Sequence, residues 1–109
     1  MESDINLEVS FRFLNLSKDQ AEALKSTDLE SKFGVHFKTK KITGLIPLSS
    51  SSTIGISEFI KNHKIDVSDT DIFISFLTEY DSRIIDIPNY VNEAILKIGS
   101  RMVLSYTIV

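Results

Sequence analysis

Apolar and polar positions alternate along the segment from Ile5 to Leu14. Leu7, Val9, Phe11 and Phe13 fall on one side, with Glu8, Ser10 and Arg12 on the other. A period of two with one polar side predicts a strand half-buried against a core. Ser17-Lys18-Asp19-Gln20 then fits a capping box, in which the serine oxygen accepts from the backbone three residues on and the glutamine reaches back. A second box, Thr27-Asp28-Leu29-Glu30, predicts a further turn. The first helical segment therefore covers 17–33 in two pieces, with Gly34 as its left-handed stop.

Val35 to Ile42 alternates again, Val35 and Phe37 against His36, Lys38 and Lys40. Its lysines predict an edge strand, where charge opposes pairing with other chains, and Phe37 is expected to face the core. Gly44 to Leu48 reads as a short strand whose ladder Pro47 limits, and Ser49 to Ser52 reads as a loop. Ile56, Phe59, Ile60 and His63 lie at the spacing of one helix face and predict a helix over 53–64. Ile72 to Leu77 is apolar on both sides, as in a central strand covered on two faces. Pro88, the stripe Val91, Ala94, Ile95 and Ile98, and Gly99 mark a helix over 88–98. Arg101 to Val109 closes the chain as a strand.

The resulting order is β-α-β-β-α-β-α-β. It predicts an α+β fold: a single mixed sheet of four to five strands, with three helical segments mainly on one face. All of 1–109 forms one domain, since no repeat and no proline- or glycine-rich linker divides it.

Composition removes several kinds of chemistry. The chain has no cysteine, which excludes a disulfide framework, a thiolate nucleophile and a zinc–cysteine site. Its two histidines, His36 and His63, have no second histidine at metal-ligand spacing. Asp66, Asp69 and Asp71 lack the spacing and the glycine of a calcium loop. The four glycines are too scattered for a nucleotide fingerprint. No catalytic residue, no metal ligand and no cofactor is expected, and the protein reads as a non-enzymatic binding domain. No apolar run approaches the roughly 18 residues of a membrane span. Met1-Glu2-Ser3-Asp4 carries no signal-peptide pattern, so the cytoplasm is the expected location.

Charge narrows the partner. The net charge is −3, and residues 56–109 carry the whole excess, with eight acids against five bases. Such a chain lacks the basic surplus that dominates nucleic-acid affinity. Between Asp66 and Asp86 six acids stand against the single base Arg83. Asp66, Asp69, Asp71, Glu79, Asp81 and Asp86 are therefore the candidate docking acids, with Tyr80 as an aromatic anchor among them and Tyr90 as a second aromatic nearby. An acidic surface of this kind steers a basic protein partner; no nucleic acid and no membrane is expected to bind. Two alternatives stand beside this reading. One is a small enzyme or ligand-binding module on the same sheet. The other is an RNA-binding domain using Phe37, Lys38 and Lys40, which requires aromatics facing solvent.

The segments Phe11 to Phe13, Leu29 to Val35, Pro47 to Ser52 and Ile87 to Ile108 together resemble a family of small bacterial α+β domains of unknown function. In size, acidity and want of catalytic groups the chain is also similar in type to the immunity proteins of contact-dependent growth inhibition systems. That resemblance implies binding and neutralisation of a cognate toxin domain, such as a basic nuclease, through an acidic surface.

Overall fold

The computed structural model describes residues 6–78 and 87–108. Along them run β1 (Asn6–Leu16), α1 (Lys18–Lys25), β2 (Lys32–Val35), β3 (Ile42–Pro47), α2 (Ser50–His63), β4 (Thr70–Thr78), α3 (Asn89–Ile98) and β5 (Arg101–Ile108), with a single 3₁₀ turn, Val67–Asp69, before β4. The sheet order is β2-β3-β1-β4-β5. β1 pairs antiparallel with both β3 and β4, β2 pairs antiparallel with β3, and β4 pairs parallel with β5. The first six elements are thus wired as a split β-α-β unit. α3 then supplies the crossover that a parallel β4–β5 pair requires. The fold is the α+β arrangement that the pattern predicts.

The core lies between the sheet and the helices. Phe11 and Phe13 from β1, Ile46 from β3 and Ile72, Ile74 and Phe76 from β4 meet Leu24, Ile56, Phe59 and Val91 from the helices in one buried cluster. Phe13 is its hub, edge-to-face with Phe11 at 5.0 Å and with Phe59 at 5.6 Å. Such ring pairs add about 0.5–1.5 kcal/mol each beyond the area they bury. The hydroxyls of Thr70 and Ser100, both buried, bond at 2.6 Å and tie the starts of β4 and β5 together. No helix among the described residues is long and apolar enough to cross a membrane.

Both halves of the Ser17–Gln20 capping box form, at 3.1 and 2.9 Å. Gly99 ends α3 in the left-handed conformation (φ 86°), as its position predicts.

Four expectations need correction. α1 stops at Lys25 instead of continuing to residue 33. The hydroxyls of Ser26 and Thr27 donate to the carbonyls of Ala23 and Leu24 at 2.8 and 2.7 Å, so they finish this helix and do not start another. Gly34 accordingly lies extended in β2, opposite Thr43, and is no helix stop.

The stretch read as a strand from Val35 to Ile42 is mostly a hairpin turn. His36 N–H donates to the Lys41 carbonyl at 2.9 Å, Lys40 N–H donates to the His36 carbonyl at 2.7 Å, and Lys40 takes a left-handed φ of 61°. Phe37 is 78% exposed and does not enter the core. The expected edge position survives one element earlier, in β2.

The serine run is not a loop. Ser49 caps α2 by accepting from Ser52 N–H at 3.1 Å, while Ser52 Oγ accepts from Ser49 N–H at 2.8 Å. Ser50–Ser52 form the first turn of the helix. Serine's preference for helix starts outweighs its low-complexity appearance.

Among the described residues, helices cover β4 on one face only. On its other face Phe73 is half-buried beneath Arg12, whose guanidinium carbon stands 4.3 Å from the ring centroid.

Candidate functional site

The acidic run divides when folded. Asp66 is exposed and caps the 3₁₀ turn, accepting from Ser68 N–H at 2.9 Å and from Ser68 Oγ at 2.8 Å. Those two bonds stabilise its carboxylate and lower its pKa. Asp69 is half-buried at the end of the same turn. Asp71 has entered β4, where the ladder sets it opposite Arg12. Arg12 Nε and Nη2 donate to its two oxygens at 2.6 Å each, and the Asp71 side chain is 1% exposed. The paired carboxylate raises the Arg12 pKa above its already high ordinary value. Asp71 therefore offers no carboxylate to a partner: its charge is covered and already balanced. The remaining sequence candidates, Glu79, Tyr80, Asp81 and Asp86, lie outside the described residues. Tyr90 is half-buried and packs against the core from α3.

The histidines serve local structure. His36 Nδ1 accepts from Thr39 N–H at 3.3 Å inside the hairpin turn. The His63 ring packs on Phe59 at 4.4 Å between centroids. Among the described residues no group of three histidine or acidic side chains comes together to hold a metal ion.

A concave feature lies elsewhere on the described surface, between α2 and the connection from α1 to β2. It is a groove of ≈ 800 Å³. Leu48 and Phe59 contribute apolar floor, and Asp28, Glu30 and Glu58 line it as exposed carboxylates. No lysine or arginine belongs to its lining. Its walls are set by a close approach at Gly55. A Cβ added there would come within 3.0 Å of Leu29 Cδ2, so the glycine lets the 26–30 connection lie directly against α2. Thr27 shapes the same connection, accepting from Leu29 N–H at 3.3 Å while it donates to α1.

Sequence reasoning missed these three acids because Asp28 and Glu30 look like parts of a helix start and Glu58 like an ordinary polar position of α2. The one signal available was Gly55, an isolated glycine within a helical pattern, which marks a close packing contact more often than it marks chemistry.

Comparison with known proteins finds no matching family model, no matching curated protein and no matching solved structure.

Proposed function

We propose that this is a non-enzymatic protein-binding domain that seats a basic segment of a partner in the acidic groove. The partner in this reading is a toxin domain that the protein neutralises, as an immunity protein does. The observation that carries it is the make-up of the groove: three carboxylates over an apolar floor, with His63 at its lining and no lysine or arginine there. Apolar floor supplies affinity once an anchoring side chain is desolvated, and the carboxylates steer a cationic partner and reject anionic ones. Asp66 adds exposed negative charge outside the groove. The test is association kinetics with the product of the adjacent gene. Reversing Asp28, Glu30 and Glu58 together to lysine should slow association by a factor of about 10–1000 at low salt, with the difference shrinking as salt rises. An unchanged on-rate would remove the groove from the account.

A second reading has one observation in its favour. Phe37 stands 78% exposed at the hairpin turn, beside exposed Lys38, Lys40 and Lys41. A solvent-facing ring among cations is the arrangement by which a single-stranded RNA base is stacked and its backbone held. Anisotropy titration with a fluorescent RNA oligomer tests it. Loss of binding in Phe37→Ala, with strong salt dependence in the parent, would favour RNA; no binding by the parent at low salt would eliminate it.

A further inference from the structure

The two edges of the sheet are unlike. β2 has four residues, begins with Lys32 and runs into a lysine-bearing turn. That is the short, charged edge that resists pairing with other chains. β5, at the opposite edge, has eight residues and follows β4 in unbroken parallel register. It contains no proline, glycine or acid, and Arg101 at its start is its one charge. Among the described residues no strand pairs with its outer side. Met102 and Leu104 sit in register with Ile72 and Ile74, hence on the helix side of the sheet. Yet they are 41% and 54% exposed where Ile72 and Ile74 are at 0%. The helix layer leaves Met102 and Leu104 open on the inner side of the last strand.

We propose that β5 is the interface of a homodimer, paired antiparallel with β5 of a second copy about a two-fold axis normal to the sheet at Leu104. The strand is complementary to itself in that arrangement, as a two-fold interface requires. Leu104 meets its own copy, Val103 meets Ser105, and the Met102 and Leu104 side chains of both copies share the helix side, where they shield one another. The two Arg101 side chains fall at opposite ends, about 20 Å apart at about 3.4 Å per residue, so like charges do not meet. Parallel pairing would set them side by side. A strand from a basic partner finds no acid on β5 with which to pair.

Sedimentation velocity of the full chain at micromolar concentration should give a dimer, and Leu104→Lys should give a monomer with an unchanged circular dichroism spectrum. Because the chain has no cysteine, Leu104→Cys introduces a single thiol. Opposed Cβ atoms about 4.5–5.5 Å apart put the two thiols within the span of a short bis-maleimide, which should give a cross-linked dimer, while Lys61→Cys on α2 stays unlinked. A monomeric parent overturns the proposal, and so does a dimer that persists in Leu104→Lys. A dimeric Leu104→Cys protein that fails to cross-link overturns it equally, and that readout stands even if the lysine variant does not fold.

Discussion

Arg12 and Asp71 are 59 residues apart in sequence and joined by two parallel N–H···O bonds of 2.6 Å on the face of the sheet opposite the core. The pair spans the β1–β4 ladder, and the guanidinium also lies over Phe73. Removing the cation alone would strand a buried carboxylate. Arg12→Met should therefore destabilise the protein by about 3 kcal/mol, the low end of the range for such pairs because the Arg12 side chain keeps 28% of its exposure. Arg12→Met with Asp71→Leu should recover most of that loss. Urea denaturation of the single and double variants measures both, and a single-variant cost below about 1 kcal/mol would mean that water already reaches Asp71.

Phe13 touches two rings and has no exposed surface. Phe13→Ala should cost about 3–5 kcal/mol, since strand and helix cannot close over the cavity. The shift in the denaturation midpoint reads this directly.

Ser49 caps a helix whose first turn is otherwise all serine, and it accepts from Ser52 N–H. Ser49→Ala should lower stability by about 1 kcal/mol, whereas Ser51→Ala, two positions on and losing only an exposed 3.1 Å contact with the Ser49 hydroxyl, should change it by less than about 0.5 kcal/mol. Thermal melts of the two variants discriminate a cap from a loop.

Lys40 holds a φ of 61°, a conformation that side chains with a Cβ adopt at a cost of about 1–2 kcal/mol. Lys40→Gly relieves that strain but gives the unfolded chain more freedom, worth about 0.4–1 kcal/mol in the other direction. The net expectation is stabilisation by about 0.5–1 kcal/mol, read from thermal melts; a destabilised variant would show that the Lys40 side chain makes a compensating interaction.

Asp66 sets an acid-side dependence. Its pKa is lower in the folded state than the unfolded value of about 3.8, because Ser68 donates to the carboxylate. The unfolded chain therefore takes up this proton first as pH falls, and the group's contribution is present above the unfolded pKa and lost as pH drops through the folded one. Asp66→Asn should be less stable than the parent at neutral pH, with the gap closing below about pH 4. A gap that is constant from neutral to acid would exclude the carboxylate as its cause.

What the chain determines by itself is whatever neighbours along it can decide. The alternation through Phe11 and Phe13 sets a strand with one buried face, and Ser17 with Gln20 starts a helix using only their own backbone. Gly99 ends α3 because its lack of a Cβ suits the turn that follows. Each depends on contacts a few residues apart, and each is visible before folding. Ser26 and Thr27 mark the limit of that reasoning, because a hydroxyl can cap the end of one helix as readily as the start of another. Tertiary structure decided the rest. Asp71 reads as one acid of a docking run until the β1–β4 register sets it opposite Arg12. Phe37 reads as core until the hairpin closes through His36 and Lys41 and turns it to water. The acidic groove forms where Leu29 packs closely on Gly55 of α2, so that Asp28, Glu30 and Glu58 come to line one concavity. A strand's register and a helix's neighbour are chosen by the burial of the whole core, and no single segment carries that information.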